Sequence, residues 1–552
     1  MKKIITLTAF ATLISIGMYA QTMYDATKIA SRDLTGTARF VGMGGAMGAL
    51  GGDISTMGVN PAGIGIYRSN DVAMTMSYGI NSVNSKYQGT SSENEKNRFS
   101  FDNIGFVFSS PIGDYTSLRY VNFGFNYQRS KSFYKNMSMN GVMNMAGLSQ
   151  TWQIANQAYG ASPDKLGESY SFENSSLGWL SILGWEGFML NGGFLNNDDE
   201  YEYASPLPQN ELGAMVFDSK ESGGIDKYDF NLSFNFNDRF YLGFTIGAYD
   251  VDYKKHSWYE EIYTPKTGYD LNSWNRIDGS GFDVKLGMIV RPFETSPLRI
   301  GFAVHTPTFY KLTYTTSAQI ASNMYAKLDN EGLIEEVSPY KEGDFDSYEE
   351  GFLNSYDDLG ADMKYDFKLN TPWVINASLG YTIGKGLALG AEYEYEDYST
   401  MKYKDADGYK MDYEVDATKA MAKAVHTFRL GAEYKLVPQF ALRAGYNYST
   451  TAFDKKAWKS LPQNSIHTDT DYANVNSISN YTFGFGYRGE NFYMDMAYKY
   501  NHYNEDFYAF HDNDRLGVDD RNFLNPINQN QLAATKVKNN RHQLMLTLGI
   551  RF

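Results

Sequence analysis

Cysteine is absent from this chain of 552 residues. Its absence excludes a disulfide framework, a thiolate metal site and a cysteine nucleophile. Long hydrophobic runs are also missing beyond the first twenty residues, where no run approaches the ~18 apolar residues of a transmembrane helix, and the mean hydropathy is −0.44. A membrane location would therefore depend on strands.

Positive charge is in deficit, with a net charge of −15 and a pI near 5.0. Broad attraction to phosphate backbones is not expected, so nucleic acid is excluded as a partner. The seven histidines do not cluster, and no standard nucleophile, kinase or zinc motif occurs. We therefore expect no enzyme, no catalytic residues, no metal and no cofactor. Residues distant in sequence could still assemble a catalytic triad, so an outer-membrane hydrolase is an alternative function, third after the two given at the end of this subsection.

The first twenty residues have the pattern of a secretory signal peptide. Lys2 and Lys3 precede an apolar run over residues 4–16, and the small residue Ala20 precedes Gln21. The sequence therefore predicts that residues 1–20 are a signal peptide and that the rest of the chain is exported.

Aromatic residues are abundant, at 16% with 45 Tyr and 35 Phe, as in membrane barrels with aromatic girdles. Apolar and polar residues alternate with the period of a half-buried strand in many segments, most clearly over residues 228–236. The segments predicted as strands are 72–79, 104–108, 121–127, 228–236, 240–253, 282–291, 298–305, 373–381, 387–398, 426–435, 440–448, 481–488, 492–500 and 542–552. The pattern predicts an all-β fold, a fourteen-stranded antiparallel transmembrane β-barrel over residues 71–552.

Long and short connectors alternate along these strands, as extracellular loops and periplasmic turns do in membrane barrels. The long ones are 81–98, 130–227, 254–281, 306–372, 399–425, 449–480 and 501–541. The short ones are 109–120, 237–239, 292–297, 382–386, 436–439 and 489–491. Both termini are then expected in the periplasm, and residues 21–70 would enter the barrel from that side.

The face of each strand follows from its chemistry, since a cation at the midplane of a barrel wall costs about 2–4 kcal/mol. In the last strand Leu544, Leu546, Leu548 and Ile550 are therefore predicted to face lipid. The charged residues predicted to face the lumen are Asp283, Lys285, Arg299, Glu392, Glu394, Arg429, Glu433, Arg443, Asp495 and Lys499.

A glycine-dense stretch over residues 38–67, ARFVGMGGAMGALGGDISTMGVNPAGIGIY, precedes the first strand. It is not a dinucleotide loop, because Met47 stands where the third glycine of G-x-G-x-x-G belongs and no strand precedes it. Glycine permits close packing against a wall. The stretch is therefore predicted to be a plug in the lumen, with these hatch residues: Gly42, Gly44, Gly45, Asp53, Asn60, Pro61, Ala62 and Gly63.

Two sets of residues are candidates for ligand binding. Trp179, Leu180, Leu183 and Phe188 lie at near-helical spacing in connector 130–227, where an apolar helix would offer a landing site for a hydrophobic ligand. The alternative, of equal weight, is a small core that holds the connector together. The second set is Arg299, His305, Arg429 and Arg443, which could hold an anionic headgroup. The favoured alternative is an ion pair with Glu392, Glu394 or Glu433 on a neighbouring strand.

The glycine-dense stretch resembles the N-terminal hatch of FadL/TodX-type outer-membrane transporters for hydrophobic compounds. The matching residues are the MGGA of 43–46, then Asp53, then the NPAG of 60–63. The resemblance extends to LRIGFAVHTPTFY, TPWVINASLGY, LGAEYEYEDYS and the terminal Phe552. It implies a fourteen-stranded barrel plugged by the hatch, a helical ligand-capture loop at 130–227, and release through a lateral gap in the wall.

The predicted function is uptake of hydrophobic small molecules, fatty-acid-like or aromatic, by diffusion through a plugged barrel in the bacterial outer membrane. The alternative is a barrel of the same fold that docks surface or secretion components. The expected partners are outer-membrane lipid, a hydrophobic ligand and the barrel-assembly machinery, and the expected state is a monomer.

Overall fold

The computed structural model describes residues 21–113, 115–511 and 532–552. These form a closed antiparallel barrel, in which the first strand pairs with the second and also with the last, from Asp71↔Arg551 to Lys86↔Lys536. The predicted fold class is confirmed. The predicted signal peptide lies outside the described residues. No helix within the described ranges is long and apolar enough to cross a membrane.

The described residues contain twenty-two strand segments. They are β1 (Asp71–Tyr87), β2 (Thr90–Pro111), β3 (Leu118–Ser132), β4 (Lys135–Val142), β5 (Asn191–Leu195), β6 (Tyr201–Ala204), β7 (Ala214–Phe236), β8 (Phe240–Ile262), β9 (Gly268–Val290), β10 (Arg299–His305), β11 (Phe309–Leu328), β12 (Ile334–Ser338), β13 (Ser347–Asn354), β14 (Met363–Asn370), β15 (Val374–Ile383), β16 (Leu387–Asp397), β17 (Lys402–Asp405), β18 (Ala424–Val437), β19 (Phe440–Ser449), β20 (Tyr472–Arg488), β21 (Phe492–Tyr508) and β22 (Thr535–Arg551).

The helices are short. They are α1 (Met23–Ala30), α2 (Ala38–Gly42), α3 (Gln150–Ala158), α4 (Pro163–Leu166), α5 (Trp179–Glu186), α6 (Ser355–Leu359) and α7 (Asp412–Met421). Four 3₁₀ helices span Ile54–Gly58, Pro61–Ile66, Ser171–Glu173 and Tyr398–Thr400.

Several wall strands are interrupted, so that the twenty segments of the barrel sheet give fourteen wall strands, and β5 and β6 form a separate two-stranded sheet. β10 and β11 both pair with β9 and form one broken strand. Opposite them, β15 pairs with β10, while β14 and β13 pair with successive parts of β11. β16 and β17 continue one another in the same way, and β4 extends β3 along β7. Each predicted strand corresponds to one of these fourteen.

The predicted short connectors are confirmed, and all lie at one end of the barrel, which we call the short-turn end. Two predicted long connectors are wrong. Residues 81–98 are a hairpin of β1 and β2 that turns at Gln88 and Gly89, and residues 254–281 are the ends of β8 and β9 around a short turn. The strands therefore continue well beyond the segments predicted from the sequence, toward what we call the long-connector end.

A reversal of polarity along each strand explains this difference. In the half of β8 near the short-turn end, Phe244 and Ile246 face outward and Thr245 faces inward. Farther along the same strand, Tyr249 and Tyr253 are buried inside and the alternate positions, acidic or basic, face outward. We call this change the polarity inversion. Prediction from alternation requires the apolar residues to stay on one face, so it ends a strand near the polarity inversion, whereas the strand itself continues.

The outward face of the half near the short-turn end is apolar, as expected of a membrane-spanning barrel. Leu544, Leu546, Leu548 and Ile550 are 51%, 38%, 37% and 53% exposed, which confirms their predicted direction. The charged residues predicted to face the lumen are buried or half-buried, which confirms that assignment as well.

Candidate functional site in the barrel lumen

Residues 21–67, which we call the lumen segment, form four short helices, each begun by a polar cap. Thr22 caps α1 in a capping box with Asp25, and Thr37 caps α2. Asp53 caps the first 3₁₀ helix, and Asn60 caps the second, in which Pro61 occupies the first position. These caps replace the hydrogen bonds that a strand would find in the sheet.

Two of the predicted hatch residues hold the lumen segment together. The Asp53 carboxylate accepts a hydrogen bond from the Thr37 hydroxyl at 2.8 Å and from the Ser55 backbone N–H at 2.9 Å. The Asn60 amide donates to the Gly48 carbonyl oxygen at 2.9 Å and to the Met288 carbonyl oxygen of β9 at 3.2 Å. Asn60 therefore joins two parts of the segment to the wall.

The lumen segment makes hydrogen bonds to inward-facing groups on strands around the wall. They include Ala38 N–H to Thr547 Oγ1 at 2.7 Å, Gly48 N–H to Glu392 Oε2 at 2.9 Å, Ser233 Oγ to Pro61 O at 2.8 Å, Asn122 Nδ2 to Ile64 O at 2.7 Å, Lys499 Nζ to Leu34 O at 2.7 Å and Gln128 Nε2 to Thr35 O at 2.9 Å. Their partners in the segment are backbone atoms, so these hydrogen bonds fix the path of the segment and do not depend on its side chains.

A row of wall glycines faces the segment. Gly380, Gly390, Gly431 and Gly445 are direct cross-strand partners on four successive wall strands. A Cβ atom would come within 2.1 Å of Ala46 O at Gly390, within 2.3 Å of Met43 O at Gly431 and within 2.1 Å of Gly44 N at Gly445. The predicted hatch residues Gly42, Gly44 and Gly45 lie along this glycine row, because only a wall without side chains lets the backbone approach so closely.

The glycine row was not predicted from the sequence, although a signal was present. LGAEYEYED in β16 and LGAEYKL in β18 place a glycine two residues before an acidic, inward-facing residue, and AGYNY in β19 continues the row. The glycines share one face with Glu392 and Glu433 and so point to the lumen.

Pro61 and Ala62 lie against β8 and β9 of the wall, whereas Gly63 packs within the segment beside Thr56 and Gly51. A Cβ atom at Gly243 of β8 would lie 2.2 Å from the Pro61 carbonyl carbon, and Gly243 pairs directly with Gly287 of β9. Ala62 is fully buried. The lumen segment therefore lies against glycines on β8 and β9 as well as on the glycine row, and β10 is the one wall strand between these two groups.

The predicted ligand-binding cations are used within the protein. Arg429 pairs with Glu392 and with Glu394, the latter at 2.7 Å. Arg443 pairs with Glu433 and Asp495, each at 2.7 Å. Both arginines therefore form the ion pairs with neighbouring strands that were predicted as the alternative to binding an anionic headgroup.

Arg299 and His305 face the lumen segment. Arg299 Nη1 donates to the Leu50 carbonyl oxygen at 2.7 Å, and His305 Nε2 lies 2.9 Å from the Val59 carbonyl oxygen. Arg39 of the segment pairs in turn with Glu433 at 2.9 Å. Arg299, His305 and Arg39 thus join the segment to the wall, and the roles of Arg299, His305, Arg429 and Arg443 toward a ligand stay predictions.

The predicted capture residues lie in a hydrophobic core within connector 130–227. Trp179, Leu180 and Leu183 of α5 are at most 1% exposed, and Phe172 packs on the Trp179 ring in an edge contact at 4.9 Å. Phe188, just after α5, is half-buried against the same cluster. In this structure these side chains form a hydrophobic core that holds connector 130–227 together, as the alternative to a capture helix predicted. Their role in ligand capture stays a prediction.

The lumen has two halves of opposite character. Near the short-turn end its wall is polar, with Asn122, Asn126, Asp229, Asn231, Ser233, Lys285, Asn376, Glu392, Arg443, Asp495 and Thr547 all buried. Beyond the polarity inversion many inward side chains are apolar, among them Ile225, Tyr249, Val251, Leu271, Ile277, Tyr310, Leu312, Ala318, Ile320, Met324 and Leu369, while Lys255, Ser257, Glu261, Ser273 and Asn275 are buried on the same face of β8 and β9. The apolar residues belong to one hydrophobic cluster with the core of the connectors.

The lumen segment enters this arrangement from the side opposite to the predicted one. Helix α1 lies at the long-connector end, where Tyr24 stacks on Phe453 and donates to Asn474 Oδ1 at 2.8 Å. The chain then descends to Tyr67 beside the short-turn end. The prediction that residues 21–70 enter from the short-turn end is therefore wrong, because the apolar face of α1 packs in the apolar half of the lumen.

A buried charged cluster anchors α1. His467 lies between Asp25 of α1, at 3.2 Å, and Asp469, at 2.7 Å, and its ring accepts or donates a hydrogen bond with the Tyr314 hydroxyl at 2.9 Å. Burial alone would lower the pKa of His467, but the two carboxylates outweigh burial and the pKa is raised above its ordinary value. His467 is therefore the positive centre of the contact.

Docking of α1 is expected to weaken as the pH rises. Protonated His467 stabilises the docked helix through Asp25 and Asp469. This stabilisation is complete below the ordinary histidine pKa of about 6.5, and it is lost as the pH rises through the raised pKa of His467. Hydrogen exchange over residues 23–30, corrected for intrinsic rates, should accelerate across that window. His467→Gln should remove the dependence, whereas His426→Gln, on the outer face, should keep it. Equal profiles in all three proteins would contradict the assignment.

Comparisons with known proteins gave structural similarity only. No family model and no curated sequence matches the chain. A FadL homologue of Pseudomonas aeruginosa is 14% identical, with 97% of this chain and 99% of that one covered at a TM-score of 0.48. The toluene transporters TodX of P. putida and TbuX of Ralstonia pickettii are 10% and 12% identical, each with 94% of this chain and 99% of theirs covered at a TM-score of 0.44. The chain is thus similar in structure to FadL/TodX-type barrels, the family whose hatch its glycine-dense stretch resembles.

Proposed function

We propose that this protein passes hydrophobic small molecules, fatty-acid-like or aromatic, through the bacterial outer membrane by diffusion, with residues 21–70 as a movable hatch. The observation that carries the proposal is the apolar inner wall beyond the polarity inversion. A channel for polar solutes has a polar interior, whereas this half of the lumen presents aliphatic and aromatic side chains. Such a wall favours solutes that leave water readily.

The fit of the lumen segment supports its role as a hatch. Its contacts with the glycine row are close but leave the backbone free of sheet hydrogen bonds, and its helices are joined by glycines with positive φ, among them Gly44, Gly45, Gly51 and Gly52. A segment held by packing, by hydrogen bonds to wall side chains and by a few ion pairs, but by no strand ladder, can shift as a unit without breaking a strand. The fold of the barrel would survive that movement.

Ligand binding in the apolar half tests the proposal. Purified protein should bind 1-bromododecane and bromobenzene, measured by quenching of tryptophan fluorescence, and an unrelated porin should not. Leu312→Asn puts an amide on the apolar wall and should weaken binding about tenfold. Thr313 is the next residue in β11 and faces outward, so Thr313→Asn should leave binding unchanged. Equal binding by the porin, or by both variants, would contradict the proposal.

Docking of a protein partner is the second candidate function. Large apolar side chains are exposed at the long-connector end, among them Tyr170, Phe194, Leu333 and Phe352 at 72%, 69%, 63% and 61%. A stable stoichiometric partner that co-purifies through these connectors, together with unchanged ligand uptake after deletion of the gene, would favour docking over transport.

A further inference from the structure

The wall is open between its second and third strands. The ladder joins Asn103↔Gln128 to Pro111↔Tyr120, and residues 90–102 of β2 have no ladder partner on this side within the described residues. At Arg129/Lys131 the pairing of β3 with β7 shifts register, and β4 then pairs with β7. Contact with β1 and β2 continues only through side chains, such as Asn81 Nδ2 to Tyr134 O at 3.0 Å.

A cleft occupies this opening, with a volume of about 50 Å³, which suits a carboxylate or phosphate oxygen group. Its charged lining residues are the basic Lys96, Arg98, Arg129, Lys131, Lys499 and Arg541 and the acidic Asp33 and Asp102. A basic excess at one place is notable in a chain whose net charge is −15. Attraction of a negative group to the cleft follows from this excess.

Several of these cations have no carboxylate partner. Arg129 pairs with Asp226, and Arg541 pairs with Asp33. Among the described residues, Arg98, Lys131 and Lys499 form no ion pair within 4.0 Å, although Lys131 donates to the Ser31 hydroxyl and Lys499 donates to a backbone carbonyl.

Burial makes the missing partners costly. Lys499 is 2% exposed. Arg98 lies over the Tyr134 ring at 3.7 Å, and its Nη1 is buried without a hydrogen-bond partner. Buried cations of this kind are ordinarily paired. Arg98, Lys131 and Lys499 are therefore cations that the carboxylates of the cleft, Asp33 and Asp102, do not pair within 4.0 Å.

The outward rim of the opening is aromatic. Phe99, next to Arg98 in sequence, is 65% exposed on the membrane-facing side and pairs across the ladder with Tyr78. Phe101 stacks on Tyr127 at 6.0 Å, across the point where β2 and β3 part. Aromatic rings of this kind mark the surface of the bilayer in membrane barrels. Cations inside and rings outside match the two ends of an amphiphile.

We propose that this cleft binds the anionic headgroup of an amphiphile, a carboxylate or a phosphate, through Arg98, Lys131 and Lys499, while the chain of the amphiphile lies along the aromatic rim. The site lies where the wall meets the lumen segment: Asp33 and Thr35 of that segment line the cleft, and Lys131 and Lys499 donate to Ser31 and to the Leu34 carbonyl oxygen. It is separate from Arg299, His305, Arg429 and Arg443, whose donors are used within the protein.

Titration calorimetry in a non-ionic detergent tests the site with dodecanoate, dodecyl phosphate and neutral methyl dodecanoate. Both anions should bind, and the ester should bind at least tenfold more weakly, since a hydrogen bond to a charged group is lost. Arg98→Gln should weaken the anions about tenfold and leave the ester unchanged. Arg98→Lys should restore part of the affinity. Arg276→Gln, an exposed cation of β9, is the matched control, and heat-modifiable migration in gels checks that each variant is folded.

The source of the anion is settled by native mass spectrometry of protein extracted from outer membranes. A retained lipid A that Arg98→Gln releases supports the site with a membrane lipid phosphate as occupant. Lipid-free protein that binds dodecanoate supports it with a solute carboxylate. Equal binding of acid and ester, no effect of Arg98→Gln, or neither anion bound overturns the proposal.

Discussion

Gly445→Ala is expected to loosen the lumen segment from the wall. The new Cβ atom would lie 2.1 Å from the Gly44 backbone nitrogen and 2.4 Å from the Met43 carbonyl carbon, and backbone atoms cannot rotate away as a flexible side chain can. Overpacking of this kind costs about 1–3 kcal/mol. The population of displaced segment should then rise about 5–150-fold. Protease sensitivity of residues 38–50 in folded protein, or ion conductance in planar bilayers, measures the change.

Gly79→Ala is the matched control for this substitution. Gly79 also faces the lumen from a wall strand, but a Cβ atom there meets its nearest neighbour, the His542 carbonyl oxygen, at an ordinary 3.8 Å. It should leave both readouts unchanged. If Gly445→Ala behaves like Gly79→Ala, the glycine row does not hold the segment and its close fit has no energetic role.

Leu546→Arg is expected to impair assembly of the barrel severely. Leu546 lies in the middle of the outward apolar run of β22, flanked by Leu544 and Leu548. An arginine at the midplane of the bilayer costs about 2–4 kcal/mol, which is a large fraction of a typical folding free energy. The yield of heat-modifiable, membrane-inserted protein measures the loss, and urea titration of the folded fraction in vesicles gives its size.

Gln543→Arg in the same strand is the control. Gln543 faces inward, and its amide donates to Ser77 Oγ at 2.7 Å and to the Asp102 carboxylate at 3.2 Å. An arginine there can pair with Asp102, so assembly should be close to normal. Similar yields for the two variants would contradict the assignment of faces along β22.

The sequence predicts the wall well because period-two alternation records which side of a strand meets lipid. The leucines of β22 and the lumenal charges of β16, β18 and β19 are all assigned correctly from this rule. The short turns are also correct, since glycine, proline and asparagine mark tight connections. These features depend on neighbours in sequence or on the shared bilayer.

The parts that the sequence misses depend on partners far away along the chain. The ends of β8 and β9 were interpreted as a connector because their polarity inverts, and only the closed barrel shows that a lumen lies behind Tyr249 and Leu271. Likewise the period of β19 places Gly445 on the lumen face, but nothing local shows why a glycine is needed there. Its role appears only when Gly44, about four hundred positions earlier, is found against it. The direction of α1 depends on its contact with Asn474 and Phe453 and is hidden from the sequence for the same reason.

The polarity inversion gives one polypeptide wall two opposite solvent boundaries. Near the short-turn end, hydrocarbon is outside and polar groups are inside; farther along the same strands, water is outside and apolar groups are inside. The second region therefore resembles a water-soluble domain, with a polar exterior and a largely apolar interior, beyond the membrane-spanning part of the barrel. Under the proposed function, a poorly soluble compound would lose its hydration shell in this region, so that most of its transfer free energy would be gained before it reached the level of the membrane.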